Sequence, residues 1–198
     1  MARWEPDAEG RLIKAAFVLF DERGYDDTTV TDIAEAAGLT KRTFFRYFTD
    51  KREVLFQGSR ELQDRWLEGI ADAPPDAPPM AAVAAGLTGV LALFADRHPF
   101  ARMRSRIIGA NPELQERELI KLQTLAGAIQ DALVDRGVPR SSAILAAQTG
   151  VTVFHVAFAH WIGQDDPSAF ERLVEDTIAE LRVVIAPART VSRAGRAS

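Results

Sequence analysis

The chain has 198 residues, the length of one large domain or of two small ones sharing a core. Its 47% apolar and 26% charged residues exclude wholesale disorder and fibrous architectures, and the absence of cysteine excludes disulfides, thiolate metal sites, iron-sulfur clusters and Cys nucleophiles. The formal charge of -4 argues, as a chain average, against a phosphate-binding surface, which is usually basic.

In chain order, residues 1–10 carry acids and a proline but no apolar run, so no secretory signal is expected. Leu12, Ile13, Ala16, Phe17 and Phe20 trace one helix face, and Gly24 stops that helix. Thr29 with Asp32 three residues on predicts a capping box; Ile33, Ala34 and Ala37 form the buried side of a short helix that Gly38 ends. Residues 41–48 read as a second short helix. Asp50 with Glu53 then caps a long connector helix to about Ala71, carrying Val54, Leu55, Leu62, Trp66 and Ile70. The segment 71–79 holds four of the ten prolines and is a loop.

Five further helices are expected at about 80–97, 100–109, 112–136, 141–163 and 167–185, with Pro99, Pro112, Gly137 with Pro139, Pro167 and Pro187 as their punctuation. The stretches 77–95 and 141–164 lack Asp, Glu, Lys and Arg and approach the ~20 residues that span a bilayer. Pro78-Pro79 in the first, and Ser, Gln, Thr and two histidines in the second, favour buried helices, so no membrane partner and a cytoplasmic location are expected. The fold class is all-α, with about nine helices. Its expected divisions are an N-terminal three-helix unit at 8–55, a helical body at 56–186, and a basic, frayed tail at 187–198 with Arg189, Arg193 and Arg196.

A capped short helix, a glycine turn and a second short helix between residues 29 and 48 form the layout of a helix-turn-helix. On a wheel of about 100° per residue, Phe44 and Phe48 share the core side, while Arg42, Thr43 and Arg46 face away and Phe45 and Tyr47 flank them. Arg can grip guanine bidentately, Phe45 can pack on a thymine methyl, and Thr43 and Tyr47 can hold phosphate. Thr29, Thr31 and Lys51 sit near helix starts, where backbone N–H groups favour anions. From Leu39 to Arg52, five cations stand against Asp50, a local +4 inside an acidic chain.

The run T-x-x-x-I-A-x-x-A-G-L-T-x-x-T-F-F-x-Y-F-x-x-K-x-x-V-L, from Thr29 to Leu55, with Gly24-Tyr25 before it, resembles the N-terminal domain of TetR/AcrR-type transcriptional regulators. The resemblance covers about the first 60 residues. It implies a homodimeric repressor of double-stranded operator DNA whose C-terminal helices bind a small effector and dimerise. It further implies base contacts by Lys41, Arg42, Phe45 and Arg46, and backbone contacts by Thr29, Thr31, Thr43, Tyr47 and Lys51. The family's usual Y-x-H-F is here Phe45-Arg46-Tyr47-Phe48, so no operator sequence transfers from a relative.

In the helix from about Ser141, apolar residues run almost all round, and Ala146, Gly150 and Ala157 leave room for a close partner. With the stripe Phe170, Leu173, Val174, Thr177, Ile178 and Leu181 of the last helix, it is expected to build a four-helix dimer face. A pocket for a small hydrophobic effector is expected among Trp66, Phe94, Met103, Arg106, Ile107, Phe154, His155 and Phe158, although each of these aromatics and Met103 also reads as ordinary core. His155 reads as an interior hydrogen-bonded histidine and His98 as a turn residue. Neither has the partners of a metal site, so no metal and no cofactor are expected. A second resemblance, in His98-Pro99, Arg102, Arg104, Arg106, Asn111-Pro112-Glu113-Leu114 and Arg117-Glu118-Leu119, is to the C-terminal domain of mycofactocin-associated TetR regulators. That group is linked with acyl-CoA-like ligands, which implies that the arginines hold a phosphate or carboxylate.

Two other functions compete. An all-α enzyme finds no support, because H-E-x-x-H, a phosphate loop, G-x-S-x-G and paired Glu-x-x-His motifs are all missing from the sequence, and no catalytic residue is assigned. A helical small-molecule-binding or scaffolding protein with a vestigial helix-turn-helix is the alternative, opposed by the retention of Arg42 and Arg46.

Overall fold

The computed structural model describes residues 7–186, and all the regular structure in them is helical. The basic tail expected at 187–198 lies outside the described residues. Helix α1 (Ala8–Arg23) starts at Asp7, whose carboxylate accepts from the Gly10 amide at 3.1 Å, and ends at Gly24. There φ of +87° requires a residue without Cβ. Helices α2 (Val30–Ala36) and α3 (Lys41–Tyr47) follow. Gly38, at φ +66°, turns the chain between them, and the Leu39 amide donates back to the Ala34 carbonyl at 2.8 Å.

The expected continuous connector is broken. It consists of α4 (Glu53–Phe56) and α5 (Ser59–Asp72), separated by Gln57 and Gly58. Asp50 does cap α4, accepting from the amides of Arg52 and Glu53 at 2.8 and 3.2 Å, but Glu53 turns away from the cap toward two cations of a later helix. Then come α6 (Pro79–Leu91), prolonged by a 3-10 turn to Phe94, α7 (His98–Gly109), α8 (Pro112–Asp135), α9 (Arg140–Ile162) and α10 (Phe170–Val184). Pro99 and Pro112 open α7 and α8 rather than closing the helices before them, because the first turn has no use for the missing N–H. His98 belongs to the first turn of α7 and is buried.

Two apolar cores result. The first gathers Leu12, Phe17, Phe20, Ile33, Phe44 and Phe48 from α1–α3, but it is completed by Leu55 of the connector and by Ile107, Ile108 and Leu114 from α7 and α8. The second holds Trp66, Val83, Leu87, Ile129, Leu133, Phe154, Trp161 and Phe170. Helix α9 is long and apolar enough to cross a bilayer. In the fold α6, α8 and α10 pack around it, which explains why its apolar residues occur on more than one side. The small residues expected at a dimer face point the other way: Ala146, Gly150 and Ala157 are buried within the chain, Gly150 against Val83. The other stretch lacking charged side chains, 77–95, ends at a 101° bend between α6, with its 3-10 extension, and α7.

Helices α5 and α6 approach most closely where Gly69 faces the Gly86 backbone and Gly86 meets the Trp66 indole. The Trp66 indole N–H donates to the Val83 carbonyl at 3.0 Å, so one of the two tryptophans of this core is fully satisfied. A Cβ at Gly86 would collide with Trp66 side-chain and backbone atoms. Gly86→Val should therefore destabilise the fold by at least about 1–3 kcal/mol, the usual cost of overpacking. An unchanged urea midpoint would contradict this packing.

Candidate nucleic-acid interface and inter-helix cavity

Helix α3 is short, so its orientation depends on its cap and its anchors. Thr40 accepts from the Thr43 amide at 3.1 Å, a side-chain N-cap. Phe44 is fully buried and Phe48 nearly so, with ring centroids 5.3 Å apart. That pins one side into the first core and turns Lys41, Arg42, Phe45 and Arg46 outward. Phe45 is 49% exposed, a large apolar area to leave in water. Lys41, Arg42 and Arg46 have no carboxylate within ion-pair distance among the described residues. Arg46 instead lies 4.9 Å from the centre of the Tyr47 ring and donates to its hydroxyl at 2.9 Å.

The residues expected to touch backbone phosphate fall into two groups. Thr31 is exposed, Thr43 and Tyr47 are half-buried beside the α3 face, and the Thr43 hydroxyl shares a 2.9 Å hydrogen bond with that of Thr40. Thr29 is occupied by its cap. Its amide and hydroxyl donate to Asp32 at 2.8 and 2.6 Å, and its hydroxyl accepts from the Asp32 amide. These bonds from Thr29 hold the Asp32 carboxyl below the ordinary carboxylate range. Lys51 is a correction. Its ammonium donates to the carbonyls of Tyr25 and Thr28 at 2.6 and 2.9 Å and lies 4.1 Å from the centre of the Tyr25 ring. Partial burial draws its pKa down. Lys51 fastens the α1–α2 loop to the start of the connector, and sequence spacing could not distinguish that role from phosphate contact.

A cavity of about 320 Å³ lies between the connector, the 3-10 turn after α6, and α7, α8 and α9. Of the expected lining residues it brings together Phe94, Phe154, His155 and Phe158, whose three phenyl centroids stand 5.6 to 6.0 Å apart. The other four fall elsewhere. Trp66 is fully buried in the second core, Ile107 belongs to the first, and Met103 and Arg106 line an open groove along α7. His155 is exposed rather than interior. The interior histidine is His98, whose Nε2 is 3.1 Å from the Trp161 carbonyl. The three arginines of α7 do not converge, since side chains two positions apart diverge by about 200° on a helix. Arg102 pairs with Asp165, Arg106 with Asp21, and Arg104 alone reaches the cavity.

The polar side of this cavity is formed by Arg97, Arg104, Glu118 and Lys121 near the connector break; the second resemblance names Arg104 and Glu118, whereas Arg97 and Lys121 were missed. Arg104 donates to the Leu55 carbonyl at 2.7 Å and to Glu118 at 2.8 Å, and its guanidinium lies 5.1 Å from the centre of the Phe56 ring. Glu53 accepts from Arg117 at 2.6 and 2.9 Å and from Lys121 at 3.1 Å. Partial desolvation pushes the Glu53 carboxyl up, but the hydrogen bonds and charges of these two cations outweigh it and hold the group below its ordinary 4.5. The one sequence signal for this arrangement was Gly58, an isolated glycine inside a helical pattern.

Residues 12–57 match the family model described as bacterial regulatory proteins, tetR family. The chain is 35% identical over 86 residues to the HTH-type transcriptional regulator TcmR of Streptomyces glaucescens, a match covering 43% of this chain and 38% of that protein. It is 26% identical over 162 residues to MftR of Mycobacterium tuberculosis, named as a candidate mycofactocin biosynthesis transcriptional regulator, with 80% of this chain and 81% of MftR covered. Among solved structures, the transcriptional regulator FadR from Bacillus subtilis in complex with stearoyl-CoA has a similar fold. Its TM-score is 0.57 at 20% identity, covering 86% of this chain and 97% of FadR.

Because the folded pKa of Glu53 is depressed, its contribution to stability is fully present above about pH 4.5 and is lost as the pH falls through the lower folded value. The urea midpoint of the native chain should therefore fall more steeply on acidification than that of Glu53→Gln. Parallel pH profiles would show that the cluster contributes nothing to folding.

Proposed function

The chain belongs to the TetR family of bacterial regulatory proteins, and on that premise we propose that it is a ligand-responsive repressor. In this reading it binds a palindromic operator as a homodimer and is released when a small hydrophobic molecule occupies the cavity. The observation that carries it is the outer face of α3, where Lys41, Arg42 and Arg46 meet no carboxylate among the described residues and Phe45 stands half in water. A solvent-exposed aromatic among unpaired cations suits a major groove, with the arginines on guanine and Phe45 on a thymine methyl. Thr31, Thr43 and Tyr47 then hold phosphates, and Thr29 contributes through the helix start that it caps.

Residues 8–55 serve as the reading unit and 56–186 as the effector and dimer unit. The dimer forms through outward faces of α9 and α10, where Ile144, Leu145, Val183, Val184 and Ile185 remain exposed. The effector shifts the connector and changes the separation of the two recognition helices, which must match half-sites about 34 Å apart. Coupling is reciprocal, so operator DNA weakens effector binding by the same factor. An acyl-CoA-like effector is a second reading. It is favoured by the likeness to MftR and by the stearoyl-CoA in the FadR structure, and is tested by titrating the protein with a long-chain acyl-CoA.

Selection from a random DNA pool at several salt concentrations should yield a palindromic consensus whose affinity falls steeply with salt. Arg42→Ala should cost about 1–3 kcal/mol and relax one position of the consensus. Enrichment of no sequence, or a flat salt response, would sink the reading. For the dimer, Leu145→Glu should leave the monomer folded, since Leu145 is 70% exposed, while light scattering at micromolar concentration shifts toward one subunit. A native chain that scatters as a monomer would refute the interface.

A further inference from the structure

The cavity is apolar over most of its wall, yet its polar side carries Arg97, Arg104 and Lys121, paired with Glu61, Glu118 and Glu53 at 3.7, 2.8 and 3.1 Å. A cation beside phenyl rings keeps a counter-charge because water screens poorly there, so an acidic ligand enters by exchange with a partner already present. Two of these cations are held by the connector itself. Arg104 spends its Nε on the Leu55 carbonyl at 2.7 Å, and Lys121 spends its ammonium on Glu53 at 3.1 Å. Leu55 lies in the last turn of the four-residue α4, where carbonyls lack a partner within their own helix. The bond from Arg104 is therefore what satisfies this carbonyl across the connector break.

We infer that the cavity takes an amphipathic anion, an apolar chain or ring with one acidic head group, and that the head group displaces the Leu55 carbonyl from Arg104 and the Glu53 carboxylate from Lys121. This rests on the reading of the cavity as an effector site and gives that effector a chemical class. The exchange favours the ligand at Arg104 because a charge-assisted hydrogen bond is about twice as strong as one to a neutral carbonyl. The planar guanidinium, fixed against Phe56, presents its donors in a fork suited to two acidic oxygens. Glu53 keeps Arg117 when Lys121 leaves. The freed Leu55 carbonyl finds its next donor in the Ser59 amide, the partner it would have in a continuous helix. Head-group arrival thus closes the break at Gln57 and Gly58 and moves the first core relative to the second. An uncharged ligand of the same length fills the rings without releasing either bond.

The test is calorimetric titration of the full chain with decanoate, decyl phosphate and decan-1-ol, each repeated with Arg104→Gln and Lys121→Gln. Operator affinity is measured alongside, and far-UV circular dichroism checks that each variant is folded. At least one anion should bind about tenfold or more tighter than the alcohol, the size expected of one charge-assisted bond. That preference should collapse in Arg104→Gln while the alcohol still binds, and only the anions should weaken operator binding. Whether decanoate or decyl phosphate binds tighter identifies the head group as carboxylate or phosphate. If Arg104→Gln fails to fold, Lys121→Gln provides the same comparison. Equal binding of alcohol and anions, or a preference that survives in both variants, would overturn the exchange while leaving the cavity an effector site. Binding of none of the three probes would remove both.

Discussion

A helix of four residues cannot satisfy its own ends, and α4 sits where the chain passes from one core to the other. Its unmet groups are met from outside: the Leu55 carbonyl by Arg104 of α7, and the Glu53 carboxylate by Arg117 and Lys121 of α8. The apolar contacts follow the same route, because Ile107, Ile108 and Leu114 finish the core that α1–α3 begin. The reading helices and the helical body are therefore joined by packing and charge as well as by the covalent chain. Whatever alters α7 or α8 near the connector is felt by the first core.

The same accounting of charge separates the two ends of the molecule. Around the connector nearly every cation is spent: Arg52 on Asp50, Arg104 on Glu118, Arg106 on Asp21, and Arg117 and Lys121 on Glu53. On α3, Lys41, Arg42 and Arg46 find no such partner. A chain of net charge -4 thus keeps three cations without an ion-pair partner among the described residues together on one small face. The acidic remainder discourages indiscriminate attraction to a polyanion and leaves affinity to that face.

The cavity exists because large rings cannot fill the space between helices that diverge at a sharp bend. Phe94 hangs from the 3-10 turn between α6 and α7, while Phe154 and Phe158 rise from α9 to meet it. Trp161 and Phe170, stacked at 4.7 Å with His98 against Trp161, pack against Phe94 and Phe158. One side of the cavity is thus aromatic and the connector side polar.

The sequence by itself determined the helical class, the capping box at Thr29, the glycine turn at Gly38 and the exposed cationic face of α3. All of these rest on contacts within about four residues, where spacing and geometry are the same thing. It also identified Phe94, Phe154 and Phe158 as candidates, because rings at helical spacing must be buried somewhere. Only the tertiary structure decided where they are buried. It split the connector at Gly58, turned Ala146, Gly150 and Ala157 inward, exchanged the roles of His98 and His155, withdrew Lys51 into the Tyr25 loop, and dispersed Arg102, Arg104 and Arg106 to three different acids. Each of these outcomes depends on a partner 14 or more residues away or on which of several apolar faces a neighbour covers. Neither is encoded in the local periodicity of a single chain.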